Sequence, residues 1–145
     1  MQILVALHSL NRFVLLVLLL VVIGKSLMGW LNKSPFEKAD DKFSLFLFIA
    51  THTQLLLGLI LYFVSPAVIF SGAAMKNAVA RYWLVEHISG MLMAIVLISL
   101  GRILSKKLSD STAKHRRMFI YNVGALLIIM IIMGQSHRGF FTVSW

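Results

Sequence analysis

Four stretches of this chain are each long and apolar enough to cross a lipid bilayer. A membrane-spanning helix needs about 20 mostly apolar residues, because it rises about 1.5 Å per residue. The stretches cover approximately residues 4–31, 43–64, 81–105 and 118–136. Hydrophobic residues make up 59% of the chain, well above the roughly 45–50% of soluble domains. We therefore predict an all-α protein in which residues 1–145 form one integral membrane domain, an antiparallel four-helix bundle.

The segments between these stretches are polar or contain helix-breaking residues. Pro35 lies in the first link, and Ser65-Pro66 closes the second stretch, because the residue before a proline disfavours the helical conformation. Residues 67–80 are too short to span, so we expect an interfacial loop there. The N-terminus lacks the basic region and the cleavage site of a signal peptide, so we expect it to remain as a helix. The aromatic residues of the tail, 137–145, suit a membrane interface.

Lysine and arginine are distributed unevenly between the two sides of the predicted bundle. Ten of the 14 lie in or beside the first and third links, and four lie on the side that holds both termini. Because the cytoplasmic loops of membrane proteins are enriched in Lys and Arg, we expect an inner-membrane protein with both termini in the periplasm. The same asymmetry accounts for the net charge of +9, so nucleic acid is not an expected partner.

The chain contains no cysteine, which limits its chemistry. Disulfides, thiolate metal sites, thiol nucleophiles and covalent c-type haem attachment are excluded. The sequence also has no phosphate-binding glycine loop, zinc-protease motif or nucleophile elbow, so nucleotide-driven and hydrolytic chemistry have no support. Histidine is the main metal ligand that remains.

The third stretch, RYWLVEHISGMLMAIVLISLGR, places His87 inside a predicted span. Ionisable groups at that depth are costly, so each one is a candidate functional residue. Counting residues from the helix centres puts His8, His87 and His137 in the same outer leaflet, His52 near the middle, and His115 in the third, cytoplasmic link. Small residues below His87 on its helix face leave room for a flat cofactor or for a close helix neighbour.

His8 and His87 are the preferred ligand pair, because their helices can be neighbours and their depths differ by only about 6 Å. A haem b fits this pattern, since it needs axial imidazole ligands, a flat slot and cations for its propionates. His137 is the alternative second ligand. His52 is a weaker candidate, because an axial offset of about 12 Å separates it from His87 and hydrogen bonding within the bundle explains it equally well.

Arg12 and Arg81 are the candidate cations for the propionates, since a guanidinium binds carboxylates bidentately. Arg12 lies one turn deeper than His8 on the first helix. Glu86 has two interpretations: it pairs with Arg81 or Arg12, which makes its burial tolerable, or it takes part in a proton relay. The sequence leaves both open.

Three segments carry a family resemblance: LHSLNRFVLLVLL in helix one, THTQLLLGLILYFVSP in helix two, and the third stretch together with the KHRR that follows it. Over nearly the whole chain they resemble small four-span membrane proteins of Bacteroidota labelled cytochrome b-like. That resemblance implies haem binding within the bundle. A more distant likeness is to the HemJ-type protoporphyrinogen oxidases, whose early histidine and third-helix histidine correspond to His8 and His87. The lysine that follows the second histidine in that family is absent here.

Three functional hypotheses follow. The first is a b-type haem protein that transfers electrons between quinone, or another membrane carrier, and a redox partner protein. The second is a HemJ-like enzyme that oxidises porphyrinogen, and the third is a non-haem accessory subunit of a membrane complex. The sequence decides neither between them nor whether two copies form a homodimer.

Overall fold

The computed structural model describes residues 1–139 and consists of four long helices. They are α1 (Gln2–Leu31), α2 (Lys38–Val64), α3 (Ala78–Lys106) and α4 (Ser111–Gln135), and each is long and apolar enough to cross a membrane. No strand occurs within residues 1–139. The all-α, four-helix membrane fold predicted from the sequence is therefore confirmed. The aromatic residues at the end of the tail, predicted to be interfacial, lie outside the described residues.

The helices are arranged so that α1 and α3 occupy opposite corners of the bundle. The main packing contacts join α1 to α2, α3 to α4 and α1 to α4, with a smaller contact between α2 and α3. Each helix thus runs antiparallel to its two neighbours. The expectation that α1 and α3 are neighbours is wrong, since they face each other across the bundle instead.

The two ends of the bundle differ in what they contain. The terminal end holds the start of α1, the loop 65–77, the start of α3 and the end of α4. The loop end holds the two short loops, 32–37 and 107–110. Between them lies an apolar core contributed by all four helices: Leu15, Leu19, Val22, Leu47, Ala50, Ala94, Ile98, Met118, Ala125, Ile129 and Met133.

Glycines allow the helices to approach closely. A Cβ at Gly90 would overlap the side chain of Ile132 in α4, and a Cβ at Gly101 would lie 3.0 Å from the Cβ of Tyr121. Within a bilayer, the hydrophobic effect does not drive helices together, because the lipid tails are also apolar. Small residues let such helices approach closely and associate by van der Waals packing. Gly90 is therefore occupied by a neighbouring helix, which favours close packing over the flat-cofactor slot as its role.

Helix α4 begins a full turn or more before the predicted start at residue 118, because Asp110 caps it. The Asp110 carboxylate accepts a hydrogen bond from the backbone N–H of Ala113 at 3.0 Å, a typical N-cap contact. His115 consequently lies within the helix and is only 2% exposed, packed against Gly29 and the ring of Phe36. The prediction that His115 sits in a solvated link is wrong.

Candidate functional site

The imidazole rings of His8 and His87 lie close together at the terminal end of the bundle. Their centroids are 6.4 Å apart and their planes are inclined by 55°. Because His8 is on α1 and His87 on α3, the two rings meet from opposite corners of the bundle. We call these two residues the histidine pair.

His87 is held by Tyr82, which lies five residues earlier on α3. The Tyr82 hydroxyl donates to the carbonyl of Ile132 at 2.8 Å, and its oxygen lies 3.3 Å from Nδ1 of His87. Since the single hydroxyl proton is given to Ile132, the phenol oxygen is left to accept the Nδ1 proton of His87. This assignment leaves Nε2 of His87 with its lone pair, as metal ligation requires.

A π-helical turn makes the Tyr82 contact possible. In a regular α-helix, residues five apart point about 140° away from each other. Residues Tyr82–Glu86 form a π-turn directly before His87, and this wider turn brings Tyr82 and His87 together. The Tyr62 hydroxyl of α2 donates to the carbonyl of Leu84 at 2.8 Å, which ties the turn to its neighbour. Single π-turns of this kind occur frequently at functional sites.

His8 is held by polar residues of α1 and α2. The Gln54 amide nitrogen donates to the His8 carbonyl at 3.0 Å and lies 3.4 Å from Nδ1 of the His8 ring. The Asn11 side chain donates to the Gln54 amide oxygen at 2.8 Å and to the carbonyl of Ala50 at 3.0 Å. These bonds fix the position of His8 relative to α2.

Gly58 of α2 leaves space for the other nitrogen of His8. A Cβ at this position would lie 3.2 Å from Nε2 of His8, tighter than an ordinary van der Waals contact. The absence of a side chain at Gly58 therefore lets the Nε2 edge of the His8 ring pack closely against α2. Nδ1 of His8 consequently faces the Gln54 side chain, and Nε2 faces the backbone at Gly58.

Two arginines place positive charge beside the histidine pair. The charge of Arg12 acts on His8, and that of Arg138 acts on His87. The Arg138 guanidinium also lies 4.7 Å from the ring centroid of Trp83, a cation–π distance, and Trp83 lies 5.2 Å from the His87 ring. Arg12 is thus close enough to His8 for its charge to act on that ring, and Arg138 is an additional cation near His87; the role of Arg12 as a propionate partner stays a prediction.

Arg81 forms its contacts with Glu86 and Met75, not with the histidine pair. Its Nε lies 2.9 Å from Oε1 of Glu86, and its Nη1 donates to the carbonyl of Met75 at 3.4 Å. Both side chains of the ion pair are partly exposed. Of the interpretations left open for Glu86, pairing with Arg81 is the one that the geometry supports.

The structure does not bring His52 or His137 to the pair. Nδ1 of His52 donates to the carbonyl of Phe48 on its own helix at 2.8 Å, and the two rings are 4.1 Å apart. His52 precedes Gly58 by six residues, which is about 9 Å along α2. His137 is exposed beyond the end of α4. The candidate roles of these two residues as ligands stay predictions without geometric support.

The histidine pair brings two imidazoles together, and the surrounding residues among 1–139 complete no group of three metal-ligating side chains. Within residues 1–139, no group of three or more His, Cys, Asp or Glu is placed to hold a metal ion. A bare zinc site in proteins uses three or four such ligands. Two imidazoles are instead sufficient for a metal whose remaining ligands come from a macrocycle.

The sequence predicts both histidines and Arg12 as site residues, but it does not indicate the residues that hold the two rings. Gln54 is a polar residue inside an apolar span, which is by itself a signal of a functional or packing role. Tyr82 gives no such signal, because regular helical periodicity places it on the face away from His87. Arg138 was assigned only to the charge balance of its side of the membrane.

Comparison of the chain with protein-family models, with curated proteins and with solved structures found no match. The resemblance to the cytochrome b-like and HemJ-type families therefore stays a prediction.

Proposed function

We propose that this protein is a membrane b-type haem protein that transfers electrons between quinone, or another membrane carrier, and a redox partner protein. The observation that carries the proposal is the separation of the two histidine rings. Two imidazoles whose nitrogens each lie about 2.0 Å from one shared metal have ring centres about 6 Å apart. The centroids of the His8 and His87 rings are 6.4 Å apart, so these two residues would be the ones that hold a haem iron.

The partners of the two rings restrict their rotation. Metal-bound histidines usually donate from their second nitrogen to a hydrogen-bond acceptor, which fixes ring orientation and tautomer. Nδ1 of His87 has such an acceptor in the Tyr82 oxygen, whereas the Gln54 amide nitrogen can only donate to Nδ1 of His8, so it orients that ring without fixing the tautomer that ligation through Nε2 needs. Both contacts lower the entropy that the rings would lose on ligation.

The absence of cysteine and the nearby arginines indicate which type of haem the site would hold. With no cysteine in the chain, attachment would be non-covalent, as in b-type proteins. Arg12 and Arg138 supply positive charge near the two rings, which suits carboxylate groups at the cofactor edge. When bound, the haem would supply one-electron redox chemistry.

The small residues near the pair are in close contact with neighbouring side chains. The His8 ring packs against Gly58, and the side chain of Ile132 occupies the space beside Gly90. The contact at Gly90 favours a cofactor site that does not lie over the small-residue face of α3.

The orientation proposed from the sequence places the histidine pair in the periplasmic half of an inner membrane. Ten of the 14 Lys and Arg lie at the loop end, which is the end that the positive-inside rule assigns to the cytoplasm. A quinone or a redox protein would then approach the pair from the periplasmic side.

The experiment is an absorption spectrum of detergent-purified protein expressed with ample haem. We expect a Soret band in the wild type and its loss in His87→Ala. The absence of a Soret band in the wild type would contradict the proposal. A Soret band that is unchanged in His87→Ala would contradict it as well.

A further inference from the structure

A cavity of about 400 Å³ opens at the loop end, the opposite end of the bundle from the histidine pair. It lies where the first loop and the ends of α2, α3 and α4 meet. The polar residues that line it include Arg102, Ser105, Lys106 and Lys114. The haem proposal uses none of them, so the cavity needs a separate explanation.

Arg102 is the buried charge at the cavity wall. It is only 9% exposed, and its Nη1 donates to the carbonyl of Asp41 at 3.2 Å, to Oδ1 of Asp41 at 3.2 Å and to the Ser44 hydroxyl oxygen at 3.1 Å. Among the hydrogen bonds within residues 1–139, those of Arg102 all come from Nη1. Its Nε and Nη2 groups are left as donors, fixed in position by the bonds that Nη1 makes.

The acidic residues at the cavity already have partners. The Glu37 side chain accepts a backbone bond in the capping box that starts α2, and Asp41 binds Arg102. By contrast, Lys38, Lys106 and Lys114 form no ion pair within the described part of the chain. The cavity therefore has an excess of positive charge.

Ser105 adds an unused donor to the same wall. It is 2% exposed, and its hydroxyl has no hydrogen-bond partner among residues 1–139. A buried hydroxyl left without a partner is costly, so it calls for a ligand atom that accepts a hydrogen bond. The start of α2 beside the cavity adds the positive end of a helix dipole.

We propose that this cavity binds a phosphate group. Its guanidinium, ammonium and hydroxyl donors match the several acceptor oxygens and the negative charge of a phosphate. Two sources share that chemistry: the headgroup of an anionic phospholipid, which basic pockets between membrane helices recognise, and free inorganic phosphate.

The test compares two double variants of the full-length protein that remove the same charge. Lys106→Gln with Lys114→Gln removes two cavity lysines, whereas Lys107→Gln with Arg116→Gln removes two exposed neighbours outside the cavity lining. Native mass spectrometry measures binding of phosphatidylglycerol against phosphatidylcholine. Thermal shift in detergent measures binding of inorganic phosphate, and far-ultraviolet circular dichroism checks that each variant is folded.

We expect the cavity variant to weaken binding by about tenfold or more, and the exposed variant to stay within about twofold of the wild type. Dependence of phosphatidylglycerol binding on the cavity lysines assigns the lipid as the source, and the same dependence for phosphate alone assigns the free anion. Equal losses in the two variants would show that the binding reports only the charge of the whole face, and would overturn the proposal. If the wild type binds neither phosphatidylglycerol nor inorganic phosphate, the proposal is overturned as well.

Should the lysine variant fold poorly, Ser105→Ala provides a second measurement. It removes only the unpartnered hydroxyl and leaves the charge unchanged. We expect weaker binding of the same probe with unchanged helicity, and unchanged affinity would contradict the role given to Ser105.

Discussion

The rings of His8 and His87 lie 6.4 Å apart although α1 and α3 occupy opposite corners of the bundle. Each ring is oriented by a different neighbour, Gln54 of α2 for His8 and Tyr82 of α3 for His87. Haem binding by the pair would depend on this relationship, whereas rings that serve only helix packing would bind no cofactor.

Replacement of Tyr82 by phenylalanine removes the oxygen that accepts the Nδ1 proton of His87. Loss of such an orienting partner typically weakens metal binding by about 10- to 100-fold. We expect haem titration of the purified variant to show a loss in that range. Tyr121→Phe is the matched control, because Tyr121 lies in α4 beside Gly101, and an equal loss there would argue against a specific role for Tyr82.

Gly58→Ala places a methyl group 3.2 Å from Nε2 of His8. We expect it to displace the ring by a few tenths of an ångström and lower haem affinity by roughly tenfold. Gly24→Ala is the control, since a Cβ there meets nothing within 4 Å. The haem affinity of Gly24→Ala should be unchanged, and its free energy of unfolding should rise by at most about 1 kcal/mol, because alanine favours the helix more than glycine does. Equal affinities in the two variants would show that the close packing of His8 against Gly58 does not affect haem binding.

Gly90→Ala tests the packing role of the small residues below His87. The added methyl overlaps Ile132, so we expect a loss of stability of about 1–3 kcal/mol, the usual range for overpacking. Combining it with Ile132→Ala should cost less than the sum of the single changes, because each substitution relieves the other. Thermal unfolding in detergent measures the stability of the two single variants and of the double variant. If the two losses of stability simply add, the contact between position 90 and Ile132 is contradicted.

The absence of cysteine makes the orientation directly measurable. Single cysteines at Ala73 in the loop 65–77 and at Ser109 in the loop 107–110 report on opposite ends of the bundle. We expect a membrane-impermeant maleimide to label Ala73→Cys in spheroplasts, and to label Ser109→Cys only after lysis. The reverse pattern would place the histidine pair on the cytoplasmic side.

The depth of the histidines could be predicted from the sequence, but their neighbours could not. Depth follows from the constant rise per residue of a helix, which is why His8 and His87 were both assigned to one end. The diagonal placement of α1 and α3 depends on contacts between helices, such as that of Ile132 with Gly90, which have no local signature. The link between Tyr82 and His87 depends on a π-turn that helical periodicity does not reveal.

The error at His115 has a local cause. The basic run that precedes the apolar part of α4 was assigned to a solvated link because of its charge. The cap provided by Asp110 extends the helix through that run, and His115 then faces Gly29 inside the bundle. Charge indicates which end of a span meets water, whereas the capping residue decides where the helix starts.

The most direct test of the haem proposal is the reduced-minus-oxidised absorption spectrum of three single variants. We expect His8→Ala and His87→Ala each to lose the bis-histidine spectrum, since either change would remove one of the two proposed iron ligands. His52→Ala should retain it, because the His52 ring is bonded to Phe48 on its own helix. A wild-type spectrum that survives both His8→Ala and His87→Ala, or that disappears in His52→Ala alone, would contradict the assignment of the histidine pair.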